Sequence, residues 1–365
     1  FVRSLQNLQT TDTGIQLDNL VMFRLNPALG GYTHARANNF YSELLDRLRG
    51  SAGITAAGTA AVSLLAGDEW DSTTSVEGHE ARDGEDMQAF MNALSPGYFT
   101  TMGIRFLEGR DFRPLDSKEN TDVAIVNRKF AQHFFGEKSA IGKRIGRGSG
   151  PNTKFNVEII GVVEDSLYEG PREGVRRQVF WPAWGNGGVA FYVRTTEASA
   201  GAFNVIRNEV KRLDASMPVY DMKTVQGQLD ETLLTDRLIA LLSAGFGLLA
   251  TLLASIGLYG VMAFIVARRK KELGIRLALG AEPSGVLWMV MKEVLLLLVI
   301  GLAIGIPAAI GLGRYVSSQL YGIQPNDPWI AVSTVALLAV VSSAAGMIPA
   351  TRASKIDPIL ALRYE

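Results

Sequence analysis

The sequence predicts a two-part fold: an α+β extracytoplasmic domain followed by an all-α transmembrane domain of three helices. Three observations carry this expectation. Every long uncharged run lies after residue 237, residues 1–237 alternate strand and helix signals with no spanning run, and basic residues bunch directly after the first run.

The outer part opens with strand-like alternation over residues 21–25, then a helical stripe over 34–49 with Phe40, Leu44, Leu45 and Leu48 on one face. Residues 54–65 are small and apolar and begin as a strand. The same order returns late in the domain. Residues 189–193 read as a strand, 200–213 as a helix with Phe203, Ile206, Val210 and Leu213 inward, and 217–225 as another strand. These form two β-α-β units, 20–66 and 189–228, expected to pair across an inserted mixed α/β subdomain, 67–188. Within the insertion, 122–127 reads as a buried strand, 128–135 as a helix and 155–163 as an apolar strand. Residues 147–151 read as a turn or exposed loop, and 68–86 as an acidic, poorly periodic and mobile stretch. Residues 224–237 are polar and helical with a thin stripe of Leu229, Leu233 and Leu234. They lead without a breaker into the first span, as a stalk would, so 229–267 is taken as stalk and transmembrane helix.

Residues 238–267 carry no charge and span about 45 Å as a helix, against a hydrocarbon core of about 30 Å. The excess implies tilt or an extension outside the bilayer. The other runs are 294–313 and 328–351. A buried soluble helix competes as a reading for any single run, but three of spanning length argue against it. Small residues at Gly257, Gly260, Gly301, Gly305 and Gly346 are expected to let helices pack closely. Residues 268–293 hold six Lys or Arg, and Arg352, Lys355 and Arg363 follow the last run, whereas the loop 314–327 holds only Arg314. The positive-inside rule therefore places 268–293 and the tail 352–365 in the cytoplasm, and residues 1–237 outside.

Composition bounds the function. With 36 basic and 36 acidic residues the net charge is zero, so no whole-chain field favours nucleic acid. The absence of cysteine excludes disulfides and thiolate metal sites without fixing the compartment. Residue 1 is Phe and no leader pattern follows it, so the chain is expected to be a piece of a longer protein. Gly136 and Gly142 are separated by five residues instead of four, and Arg144 stands where a phosphate loop needs Ser or Thr, so this reads as a surface turn. His34, His79 and His133 are scattered, without a second ligand at metal spacing. No nucleophile elbow exists. Phe180, Trp181 and Trp184 around Pro182 read as a core plug in preference to a sugar or peptide platform. The spans lack ionisable residues, which argues against an ion-coupled transporter or channel. No catalytic, cofactor or metal site is therefore expected in this chain.

Several motifs carry a resemblance. Gly257-Leu-Tyr-Gly-Val-Met-Ala-Phe-Ile-Val-Ala-Arg-Arg-Lys-Lys-Glu-Leu-Gly-Ile-Arg-Leu-Ala-Leu-Gly-Ala281 and residues 348–365 resemble the membrane part of the MacB/FtsX-like permease family of ABC transporters. Leu94-Ser-Pro-Gly-Tyr-Phe-Thr-Thr-Met-Gly-Ile104, Glu108-Gly-Arg-Asp-Phe112, Val123-Ala-Ile-Val-Asn127 and Ile159-Ile-Gly-Val-Val163 resemble its periplasmic core. The nearest branch resembles the duplicated orphan permeases. The resemblance implies a porter-like outer subdomain and a bacterial inner-membrane location. It implies a fourth span before the outer domain, with residues 1–19 as the linker that follows it. It also implies a second permease module as partner and an ABC nucleotide-binding protein that binds ATP, so that this chain relays motion and is not itself an enzyme. A periplasmic adaptor would suit export.

Within 268–293, Lys271, Glu272, Leu273, Gly274, Ile275, Arg276, Leu279 and Gly280 are the expected contacts for that ATPase. Lys271, Glu272 and Arg276 form the polar side of a short helix, and Leu273, Ile275, Leu277 and Leu279 its apolar surface. Gly280 ends it. A plain anchor, with residues 268–271 on lipid headgroups, competes with this reading. So does a scaffold that regulates a periplasmic or cell-wall partner without transport; a membrane-anchored enzyme lacks a catalytic cluster.

Overall fold

The computed structural model describes residues 2–117, 122–148, 153–182, 188–196, 200–316 and 328–355. In chain order the elements begin α1 (Val2–Thr10), β1 (Leu20–Leu25), α2 (His34–Arg49), β2 (Ile54–Ala60), β3 (Asp71–Val76), β4 (Gln88–Leu94), α3 (Tyr98–Met102) and β5 (Phe106–Gly109). Next come β6 (Val123–Asn127), α4 (Arg128–Phe135), β7 (Arg144–Arg147), β8 (Val157–Val163), β9 (Gln178–Pro182), β10 (Val189–Thr195), α5 (Ala200–Leu213), β11 (Tyr220–Thr224) and α6 (Val225–Thr232). The last four are α7 (Leu234–Arg268), α8 (Lys270–Ala278), α9 (Pro283–Val316) and α10 (Pro328–Ser354). The chain divides into two compact units, residues 9–234 and residues 1–8 with 235–365.

In the first unit the two β-α-β segments interleave. The strand order is β11-β1-β10-β2, every neighbour antiparallel, so each unit contributes one central and one outer strand. This is the split β-α-β arrangement, and its two strands from residues 189–224 arrive only after the insertion. Helices α2 and α5 lie over one face because their stripes are spaced for it: Phe40, Tyr41, Leu44, Leu45 and Leu48 from α2 meet Ile206 and Val210 from α5. Beneath them Phe23 and Phe191 stack at 4.9 Å, and Tyr41 meets Phe191 edge-on at 5.8 Å. Such aromatic pairs contribute about 0.5–1.5 kcal/mol beyond their burial. On β2, a side chain at Gly58 would stand 2.7 Å from the Cα of Tyr98, so glycine there lets α3 sit directly on the strand.

The insertion does more than mix helix and strand. Strands β4, β3, β7, β8, β6 and β9 pair in that order, and β9 returns in parallel to β4, closing a six-stranded ring. Strand β5 adds to the outside of β8. Ala60 opposite Leu94 is where the ring joins the split β-α-β sheet. Helix α4 covers the ring, with Phe130 in a core of Met91, Val126, Ile145, Ile159 and Trp181. Phe180 and Trp181 are buried, as the plug reading expects; Trp184 lies outside the described residues.

Three expectations need correction here. The stretch 68–86 contains strand β3, whose Thr74 and Val76 point inward. A Ser/Thr-rich strand lacks the apolar alternation that announces one. The linker 1–19 begins with helix α1, and its end is tied down by Arg194, which donates to the carbonyls of Gln16 (2.8 Å) and Asp18 (2.9 Å). The stalk is not continuous: α6 stops at Thr232, Leu233 is non-helical, and α7 begins at Leu234. Helix α6 is instead fastened to the outer unit. Thr224 caps it, Leu229 and Leu233 are buried, and Gln228 donates to the Leu65 carbonyl at 3.1 Å. The loop residues 149–151, most of 314–327 and the tail 356–365, including Arg363, lie outside the described residues.

In the second unit α7, α9 and α10 are long and apolar enough to cross a membrane. Their large apolar side chains, such as Leu241, Phe246, Leu253, Ile304 and Leu312, point away from the rest of the unit, as lipid-facing residues do. Helix α9 begins at Pro283, well before the expected 294, so residues 283–293 of the segment 268–293 are an extension of this helix. Pro283 is preorganised for a first turn, where its missing N–H costs nothing. Lys292 is accommodated by the face of Trp288, at 5.7 Å.

Candidate functional site

The segment between α7 and α9 contains one short helix, α8. Its placement follows from helical periodicity. Residues two apart on a helix lie about 200° apart, so Leu273 and Leu277 share one face while Ile275 and Leu279 share the opposite one. Leu273 is 2% exposed and packs with Met262, Val286, Val290, Met291 and Val294, and with Ala350 and Ala353 of α10. Gly274 is buried beside it and Leu277 packs at the edge of the same cluster. Ile275 and Leu279 are 46% and 83% exposed. The single apolar surface expected from Leu273, Ile275, Leu277 and Leu279 is thus two surfaces, one anchoring α8 and one open.

The end of α8 is set by Gly280, with φ +91°. The Gly280 N–H donates to the Leu277 carbonyl (3.1 Å) and the Ala281 N–H to the Arg276 carbonyl (3.0 Å). This paired pattern is the Schellman cap, which favours glycine at the left-handed position. Leu279 therefore projects from a fixed turn.

The charges on α8 sort into two groups. Glu272 and Arg276 bond to each other at 2.7 Å one turn apart, and Arg276 also points at the Met289 sulfur at 3.4 Å. An exposed pair of this kind contributes about 0.3–0.5 kcal/mol, so it orders the surface more than it stabilises the helix. Arg269 pairs with Glu293 of α9. Lys270 and Lys271 are exposed and have no carboxylate partner among the described residues.

Of the expected packing glycines, Gly346 alone meets a neighbour: a side chain there would stand 2.6 Å from Val294. Gly257, Gly260, Gly301 and Gly305 have no neighbour within 4 Å of an added side chain among the described residues. Gly301 and Gly305 instead line an apolar cleft between α7, α9 and α10 of about 650 Å³.

One cluster in the outer unit leaves no pattern in the sequence. His79 and His133, 54 positions apart, both approach the same Glu85 oxygen, at 3.1 and 3.4 Å. Arg177 donates to His133 Nε2 at 2.9 Å and to Asp86 at 2.6 Å. Arginine only donates, so the Arg177 contact favours the neutral form of His133 with its proton on Nδ1, whereas the Glu85 contact on the same nitrogen favours the charged form. Burial and the Arg177 charge push its pKa down. The Arg82 N–H, with His79 and His133, holds the Glu85 carboxyl below its ordinary value. No group of three or more metal-ligating side chains with suitable geometry occurs among the described residues. The turn 136–143 precedes β7, and Gly142 bonds to the Ile159 carbonyl there.

Comparison with known proteins then places the chain. Residues 3–227 match the MacB-like periplasmic core domain, and residues 244–358 match the FtsX-like permease C-terminal domain. The macrolide export ATP-binding/permease protein MacB of Bdellovibrio bacteriovorus is 26% identical over 289 residues, 74% of this chain and 43% of that protein. The uncharacterized ABC transporter permease YknZ of Bacillus subtilis is 27% identical over 293 residues, 77% of this chain and 71% of that protein. The periplasmic region of MacB from Actinobacillus actinomycetemcomitans is a structural match at 15% identity and a TM-score of 0.35, over 60% of this chain and 92% of that one. The chain spans less than half the length of the MacB proteins it matches. With the periplasmic core profile covering well over half of its residues and the permease profile most of the remainder, the chain belongs to the MacB/FtsX-like permease family of ABC transporters.

Proposed function

We propose that this chain is the permease subunit of a transporter or mechanotransmission complex, driven by an ABC nucleotide-binding protein that binds the ATP. The observation that carries this reading is the two-faced α8. Leu273 anchors the helix in the cluster of α7, α9 and α10, while Ile275 and Leu279 lie open beside Glu272 and Arg276. An anchored helix with an exposed apolar face is suited to a groove on another protein, and a push on it bears directly on three spanning helices. Relatives named for macrolide and pyoverdine export combine ATP-binding and permease parts in one protein, which supports export as the output. In this reading α8 and the tail are cytoplasmic, residues 1–237 lie outside the inner membrane, and a second permease module completes the complex. A periplasmic adaptor would carry the substrate onward. The kinship with the orphan branch rests on the motifs alone.

Photo-crosslinking tests this reading. A crosslinker at position 279 in membranes holding the partner ATPase should trap it, and one at the buried position 273 should not. Capture of a cell-wall hydrolase by the outer unit, without any ATPase at position 279, favours a scaffold instead.

A further inference from the structure

The cations near α8 that lack a carboxylate partner among the described residues do not spread evenly. Lys270 lines a pocket of about 210 Å³ with Tyr259, Ala263, Val266 and Ala267 of α7 and with Pro349 and Arg352 of α10. Two cations converge on this pocket and its lining holds no carboxylate. Arg352 donates to the Tyr259 hydroxyl at 3.0 Å, and Lys270 has no ion-pair partner among the described residues. Their neighbours differ, since Arg269 is matched by Glu293 and Arg276 by Glu272.

The pocket also straddles the end of an uncharged run. The uncharged run of α7 ends at Ala267, so Ala263, Val266 and Ala267 belong to the apolar side and Lys270 to the polar side of one wall. A single pocket thus offers an apolar floor, a phenol and two cations without a carboxylate partner among the described residues, at the end of a spanning run, where the positive-inside pattern expects headgroups.

We infer that Lys270, Arg352 and Tyr259 form a binding site for the phosphate of an anionic glycerophospholipid. The phosphodiester sits between the ammonium and the guanidinium, and the glycerol end rests on Val266 and Pro349. Arginine and lysine both bind phosphate, arginine through its planar fork and lysine as a point charge. A free phosphate ion would use the cations but gain nothing from the floor. The site does not depend on whether an ATPase docks at Leu279. It lies where α7 leads into α8 and where α10 ends, so an occupied site ties α8 to the last span.

The test uses the full chain in nanodiscs or detergent, with phosphatidylglycerol and phosphatidylcholine compared by native mass spectrometry of retained lipid. Removing both charges with Lys270→Gln and Arg352→Gln should weaken phosphatidylglycerol retention by about twenty-fivefold, at about fivefold per cation. A charge-matched control, Arg268→Gln with Lys292→Gln, leaves the pocket lining unchanged and should lose clearly less phosphatidylglycerol than the pocket double variant. Val266→Trp fills the floor without changing charge and should also lose phosphatidylglycerol. Equal losses in the two double variants would overturn the site, since the effect would then be one of overall charge. So would equal retention of phosphatidylcholine, or displacement of the lipid by millimolar inorganic phosphate.

Discussion

Replacing Asn127 with alanine removes four hydrogen bonds from one fully buried side chain. Its Oδ1 accepts from the N–H groups of Phe130 (3.1 Å) and Gln178 (2.9 Å), capping α4 and holding the start of β9. Its Nδ2 donates to Asp165 (2.7 Å) and to the Arg176 carbonyl (2.8 Å). Loss of a helix cap costs about 1 kcal/mol, and leaving the buried Gln178 N–H unmet costs about 1–3 kcal/mol more, for roughly 3 kcal/mol together. At 1.4 kcal/mol per tenfold, that is about a hundredfold faster local opening. Hydrogen exchange read by mass spectrometry on the whole chain in detergent should show it in peptides covering α4 and β9. Thr33→Ala is the control, because that exposed cap holds the Arg36 N–H at a long 3.4 Å; it should cost at most about 1 kcal/mol. If Asn127→Ala changes exchange no more than the Thr33 variant does, the side chain is not the joint described.

Two further predictions follow from geometry and charge. Leu273→Ala should destabilise the membrane unit by about 2–4 kcal/mol, lowering its thermal midpoint in detergent, while Leu279→Ala should stay within about 0.5 kcal/mol of the parent; equal effects would show that α8 is not anchored on one face. Burial and the Arg177 charge lower the folded-state pKa of His133, so His133 contributes stability that is fully present above its unfolded value, about 6.5, and lost as pH falls through the folded value. Glu85, also lowered, adds a separate loss only below about pH 4.3. Denaturation midpoints should therefore fall between pH 7.5 and 5.5 in the parent and less so in His133→Gln; identical slopes would refute the role given to His133.

Much of the fold is legible in the sequence. Helices α2, α4 and α5 begin and end where their stripes predict, because each buries one apolar face in a local core. The pairing of the two β-α-β segments shows as a repeated order of elements, and Gly280 as a helix stop. What is not legible depends on partners distant in sequence. The parallel return of β9 to β4, with Phe90 opposite Gln178, leaves no local mark, so ring closure stays hidden. The same holds for His79 and His133 meeting at Glu85. The break at Leu233 carries neither Gly nor Pro; burial of Leu229 and Leu233 in the outer unit decides it. The division of α8 into two faces is within reach, since 3.6 residues per turn separates Leu273 from Ile275, but an unbroken run of alternate apolar residues reads easily as one surface.

The claim on which the functional reading depends is that the open face of α8 receives force from an ATPase. The direct measurement is ATP hydrolysis by the proposed partner nucleotide-binding protein, reconstituted with this chain and the proposed second permease module, for the parent and for Ile275→Ser with Leu279→Ser. Those positions lie outside the anchoring cluster, so the variant should fold and insert as the parent does. The account predicts that stimulation of hydrolysis by the permease is lost in the variant and that Leu279→Met retains it. Stimulation unchanged in the double variant, with the chain correctly inserted, would contradict the claim.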